Sequence, residues 1–386
     1  LELIRDEGTD MVLHQGDFDY NGNPERWDQQ INNVLGSDFP YFASVGNHDC
    51  SDGVGCTGPG DWSAYQQKLE ARLERIGDAH CTGDLGVQSA CSYKGLFFIL
   101  SGAGTMGSDH DAYIRDQLTD NEATWKICSW YKNQWAMQPS NKGDAVGWGR
   151  YDECRKGGAI VATGDSHIYA RTHLMDSFET HSVASASNTL QLDKGRTFAF
   201  VSGLGGRSIA KQDEALAAKD SWAAVYTSDQ NADFGALFCT FNENGFENRA
   251  HCYFKNINGV VVDEFDMLAG PASVRVPTDV TTIAEAIDAA APGDIISIAA
   301  GTYAESLTVD KNLLLIGAGA GLTTIQGAGG NVVTVSAAVS LRDVTVTGGS
   351  NGSKENDKHD KQGSGIWVTT GASLDLRNAH VVDNQK

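Results

Sequence analysis

The sequence has little proline, 7 residues in 386, and no uninterrupted apolar run long enough for a bilayer-spanning helix. With a hydrophobic share of 41%, the scarcity of proline argues against a disordered chain and for a globular one. No two cysteines form a CxxC pair, which argues against a zinc knuckle, and none of the 8 cysteines lies beyond Cys252. Basic residues are also scarce: 29 Lys and Arg face 50 Asp and Glu, for a net charge of -21. The deficit sits in the first 270 residues, which hold 38 acids and 21 bases, against 12 and 8 from Pro271 onward. Such a surface repels long polyanions and argues against nucleic acid as the main partner. A small phosphorylated substrate would need a local positive centre, which a metal can supply. The chain opens Leu-Glu-Leu without a charged-then-apolar leader, and reads as processed or as a fragment.

The cysteines fall into close pairs along the chain: Cys50 with Cys56, Cys81 with Cys91, Cys128 with Cys154, and Cys239 with Cys252. An even count at short spacing points to disulfides and to a secreted or extracellular protein, with connectivity left open. The length suggests two domains. From Leu1 to about Leu268, strand-length apolar runs recur at Met11–Leu13, Tyr41–Val45, Leu96–Leu100, Trp125–Trp130, Ala159–Ala162 and Phe198–Val201. Helical spacing appears between several of them, at Trp62–Ile76 and Ala112–Leu118. Alternation of this kind predicts a layered α/β domain over 1–270, with its ligand site beyond the carboxyl ends of the strands.

The texture changes at Gly270-Pro271. One helix, Ile283–Ala290, has a capping-box start in Thr282 and Glu285. Short strand-like runs follow at Ile295–Ile298, Leu313–Ile316, Val332–Val335, Leu341–Val346, Ile366–Val368 and Leu374–Leu376, with no helix between them. The stretch VPTDVTTIAEAIDAAAPGDIISIAAGTY and the later LTVDKNLLLIGAG resemble right-handed parallel β-helix proteins of the pectate-lyase and pectin-esterase kind. The resemblance implies an all-β coil over 271–386, capped by the helix. The strand rhythm runs on to the last residue, so the coil reads as partial, lacking a closing cap. Asn351 to Gln362 reads as a polar excursion, with Asn351-Gly352-Ser353 fitting a glycosylation acceptor.

Three motifs carry the chemistry, each after an apolar strand: Gly16-Asp17-Phe18-Asp19-Tyr20, Gly46-Asn47-His48-Asp49 and Gly164-Asp165-Ser166-His167. A lone Gly-Asp after a strand is usually a turn. Three such motifs in order offer carboxylate, amide and imidazole groups to one crevice, as a pair of metal ions would need. The set resembles the calcineurin-like metallophosphoesterases, and more closely the purple acid phosphatases, through Tyr20, WKICSWYKNQ, VATGDSHIYART and FGALFCTFNENG. The resemblance implies a layered β-sandwich with flanking helices and a phosphoric monoester hydrolase with two metal ions, iron with zinc, manganese or iron. On this basis Asp17 bridges the metals and Tyr20 and His167 complete the iron site. Asn47 and Asp165 serve the second metal, and His48 assists the leaving group. The chain departs from the family in three ways: the family's first Asp motif is absent, Tyr131 stands for a His, and Asp165 stands for another. Tyrosine is a poor ligand unless ionised. Asp165 can still coordinate and points to a harder cation.

Among nearby candidates, Arg171 suits phosphate by its planar guanidinium, with a surface ion pair as the plainer role. His173 is a second candidate for substrate contact, and His14 reads as a packing residue. The Gly203–Gly206 turn lacks the lysine of a phosphate loop and reads as packing near the metals. The leading function is metal-dependent phosphatase action on a small phosphorylated substrate. The alternative is an impaired relative acting as a carbohydrate-binding or adhesion protein through its β-helix. A third, lyase or esterase action by the coil, is disfavoured because Asp343, Asp375 and Asp383 stand singly.

Overall fold

A computed structural model describes residues 1–50, 61–243, 246–350 and 365–384. Cys56 and the 351–362 segment, including the Asn351 acceptor, lie outside the described residues. The chain divides into two compact units, Leu1–Ala186 with Leu190–Gly270, and Ser187–Thr189 with Pro271–Lys386.

The first unit is built on an eight-stranded sheet in the order Trp222–Tyr226, Tyr169–Thr172, Ala199–Ser202, Ile160–Thr163, Trp125–Trp130, Leu96–Ser101, Gln88–Tyr93 and His80–Asp84. Its middle, from Ala199–Ser202 to Leu96–Ser101, is parallel, and its outer pairings are antiparallel. Side chains alternate between two cores, as the pleat requires. Phe98, Leu100, Trp125, Ile127, Ile160 and Ala162 enter one cluster, while Ile99, Cys128, Trp130 and Val161 enter another. Burial on both faces is why these strands read as near-continuous apolar runs. The first cluster continues into a four-stranded sheet, antiparallel across its three long strands, through Leu192, Cys252, Phe265 and Met267. The second is covered by helices His110–Leu118 and Gly149–Lys156 through Ile114, Leu118, Tyr151 and Cys154. The antiparallel sheet, whose long strands are Gly235–Phe241, Arg249–Asn256 and Val261–Ala269, is the largest element not anticipated from strand-helix alternation.

A separate parallel pair, Val12–His14 with Tyr41–Ala43, carries the first two motifs. Disulfides Cys81–Cys91 and Cys239–Cys252 join residues directly opposite on neighbouring strands, and Cys128–Cys154 joins a strand to a helix. No helix among the described residues is long and apolar enough to cross a membrane.

The second unit has three parallel sheets, visited in turn by successive strands from Ile295 onward. Register partners stack like residues: Val274, Ile296, Leu315 and Leu341 form one column, and Tyr303, Ile325 and Val346 another. The helix Ile283–Ala289 adds Ile283, Ala286 and Ile287 to the same core. Its start is reciprocal: the Glu285 N–H donates to Thr282 Oγ1 at 3.1 Å, and the Thr282 N–H to Glu285 Oε2 at 3.0 Å. The run Leu341–Val346 is not one strand. Asp343, at φ 55°, turns the corner between Ala338–Arg342 and Thr345–Thr347.

Candidate metal centre

The motif loops leave their strands at the carboxyl ends and meet at close range. Gly16 and Gly46 allow this approach: a Cβ on Gly46 would lie 2.2 Å from the Asp17 nitrogen. The crossing is fixed by the buried carboxylate of Asp49. It accepts the N–H groups of Asp17 at 3.0 Å, Phe18 at 2.7 Å and Gly46 at 2.6 Å. Burial raises its carboxyl well above the ordinary range, against the lowering effect of those donors. Asp49 was quoted within the second motif, but this anchoring role is visible only in the fold. Asp19 anchors the same loop by accepting the Tyr65 hydroxyl at 2.6 Å.

Asp17, at φ 59°, receives the His48 N–H on Oδ1 at 2.9 Å and the Tyr131 hydroxyl on Oδ2. Burial, then the charges of Asp17 and Asp165, push the Tyr131 phenol far above its ordinary value, so it is a neutral donor here. Tyr20 places its hydroxyl 3.1 Å from His167 Nε2 and its ring 4.6 Å from that of His48. Burial and then Asp17 raise the Tyr20 phenol too. Burial, with Lys142 beside it, lowers His167, whose Nδ1 lies 2.5 Å from Ser208 Oγ. The Arg207 guanidinium lies 4.7 Å from the centre of the Tyr20 ring. Gly203 packs against the Ser166 carbonyl, where a Cβ would fall at 1.9 Å. The glycine-rich turn thus carries Arg207 and Ser208 to the cluster.

The other half of the cluster is occupied by ammonium groups. Lys132 Nζ donates to Asn47 Oδ1 at 2.8 Å and to Asp165 Oδ1 at 3.3 Å. Lys142 Nζ donates to Asp165 Oδ1 at 2.5 Å and to the Asp165 carbonyl. Neither lysine stood out in the sequence, although Lys132 directly follows the substituted Tyr131. Among the described residues, no three His, Cys, Asp or Glu side chains are grouped closely enough to hold a metal ion. With its phenol counted, the donor set Asp17, Tyr20 and His167 has the chemistry for one hard cation. The set Asn47, Tyr131 and Asp165 does not fit a second.

Two residues proposed for substrate contact are elsewhere. Arg171 has no exposed surface and grips Asp263, Nε to Oδ2 at 2.6 Å and Nη2 to Oδ1 at 2.9 Å, over the Phe265 ring. It is a core ion pair, and the expectation of a phosphate contact is corrected on that ground. His173 bonds through its N–H to the Ser221 carbonyl, and its buried Nδ1 has no partner among the described residues. Among the described residues, no side-chain hydrogen bond or ion pair joins it to the cluster. His14 accepts or donates at Nδ1 to the Tyr41 hydroxyl at 2.9 Å and packs on Phe18, a structural role.

Residues 1–169 match the family model for calcineurin-like phosphoesterase. The matched stretch lies within the first unit and contains all three motifs. The purple acid phosphatase from yellow lupin (Lupinus luteus) seeds superposes with a TM-score of 0.51 at 18% identity, over 70% of this chain and 48% of that one. The chain thus spans about half the length of that structure, and the likeness is one of fold. PhoD gives a TM-score of 0.38 at 12% identity, covering 66% of each chain. A pectin methylesterase mutant in complex with a hexasaccharide gives 0.24 at 22%, over 28% of this chain and 41% of the other. No curated protein sequence matches the chain.

Proposed function

We propose that the phosphoesterase domain, taken as residues 1–270, hydrolyses phosphate monoesters of small molecules in a metal-dependent reaction of the purple acid phosphatase kind, outside the cell. The observation that carries this is convergence. Asp17, Tyr20, His48 and His167 come from three strand ends and lie in direct contact. Asp17, Tyr20 and His167 would hold iron, whereas Asn47 and Asp165, the residues the family resemblance assigns to a second ion of zinc, manganese or iron, are engaged by lysine instead. A bound metal supplies Lewis acidity toward the phosphoryl oxygen and ionises a water near neutral pH. The exposed His48 gives a proton to the leaving oxygen or stabilises its charge. Arg207, exposed beside Tyr20, takes the phosphate-orienting role once considered for Arg171. The test is turnover of an aryl phosphate by the purified chain with added iron, zinc or manganese, beside Asp17→Asn. Metal-dependent turnover lost in the variant is expected; turnover that survives Asp17→Asn would sink the reading.

Tyr131 and the two lysines favour a second reading. Here the domain is a catalytically impaired relative, and residues 271–386, a partial right-handed parallel β-helix of the pectate-lyase-like kind, bind carbohydrate. Absence of turnover with every metal, together with retention on a polysaccharide column, is the result that would establish it.

A further inference from the structure

We infer that Lys132 takes the place of a second metal ion, so that this site accepts one metal at most and holds an ammonium group where the other would sit. The inference rests on the phosphoesterase reading of the cluster. Its basis is the contact pattern. The oxygens of Asn47 and Asp165, which a second ion would need, both accept from the one ammonium of Lys132. Asp165 is 7% exposed and also accepts from Lys142, so two cations already meet its single negative charge. A divalent ion entering there would have to expel an ammonium group or share a few ångströms with it, a repulsion that grows as the surroundings lose water. The third position, Tyr131, has its hydroxyl already committed as a donor to Asp17.

The arrangement is also built to stay. Lys132 is 21% exposed and its ammonium lies 5.0 Å from the centre of the Tyr131 ring. The remaining exposure leaves the ammonium able to meet an anionic ligand. Lysine acts as a point charge toward phosphate, so the charge role of a second ion survives while its Lewis acidity and bound water do not.

The experiment counts metal on the full chain. Wild-type protein is loaded with excess manganese, or with iron and zinc, desalted, and analysed by inductively coupled plasma mass spectrometry. About one ion per chain is expected, and Lys132→Arg should keep that ratio. Lys132→Met/Lys142→Met should raise it to about two, with manganese also followed by electron paramagnetic resonance. Near-ultraviolet circular dichroism on each variant confirms that the fold is kept. Two tightly held ions on the wild type would overturn the inference. So would a folded double variant that gains none, since the exclusion would then belong to Tyr131. Turnover with one ion supports both this inference and the phosphatase reading. Turnover with two ions keeps only the latter, and one ion without turnover keeps only the former.

Discussion

Replacing Arg171 by Met should unfold the first unit more easily without touching substrate affinity. Arg171 is fully buried and Asp263 is 7% exposed, so the variant strands a carboxylate with little access to water. Removing one partner of such a pair costs about 3–5 kcal/mol. Replacing both, as Arg171→Met/Asp263→Leu, should recover most of that loss. A residue of about 1–3 kcal/mol remains because the Tyr169 hydroxyl, which donates to Asp263 Oδ2 at 2.7 Å, loses its acceptor. Tyr169 cannot escape by ionising, since burial and Asp263 push its phenol well above the ordinary value. Urea unfolding followed by tryptophan fluorescence reads this unit selectively, because every tryptophan except Trp367 lies before residue 271. A double-mutant cycle separates the pair from its surroundings. If Arg171→Met lost less than about 1 kcal/mol while the KM for an aryl phosphate rose tenfold, the core assignment would be wrong and the guanidinium would belong to the substrate site.

Gly46→Ala should cost about 1–3 kcal/mol and abolish turnover, because its Cβ would strike the Asp17 backbone; wild-type kinetics in a folded variant would contradict the crossing of the two loops. Burial lowers His14 to about 4. Below its unfolded value near 6.5 only the unfolded chain takes the proton, so stability should fall from pH 6.5 toward pH 4 and stay flat above. The loss is at most about 3 kcal/mol, since His14 keeps some solvent contact, and His14→Gln should flatten the slope in urea titrations at several pH values. Reductant should lower the melting temperature of the first unit, with each disulfide contributing about 2–4 kcal/mol, and leave the cysteine-free second unit unchanged in calorimetry.

The motifs were legible because strand ends followed by glycine and a polar ligand are local patterns. Asp17, Asn47 and His167 could be named from their neighbours alone. Lys132 could not, because its role depends on reaching Asn47, 85 residues earlier, and Asp165, 33 residues later. The choice for Arg171 between substrate contact and ion pair is open in the sequence for the same reason: its partner lies 92 residues away, and a guanidinium looks alike in a core and at a crevice. In the second unit the helix Ile283–Ala289 was plain from its cap. The three-residue strands Gly301–Tyr303 and Leu307–Val309 were not, being too short for periodicity to register. Leu341–Val346 read as a single strand because an apolar run does not mark the corner at Asp343.

The disulfides also set how far the chain can be drawn out under load. Each closes a loop, over 10, 26 and 13 residues, that cannot lengthen while its bond is intact. Together they withhold roughly 150 Å of extension, released only when a thiol exchanges with them. The second unit has no such stops among its described residues. A pull that peels the strand Ser373–Arg377 from Ala338–Arg342 must break the ladder of that pairing, the Arg342–Asp375 ion pair and the packing of Leu374, but no covalent bond. Under tension the second unit should therefore extend fully, while the first falls short of its full reach by that amount until its disulfides are reduced.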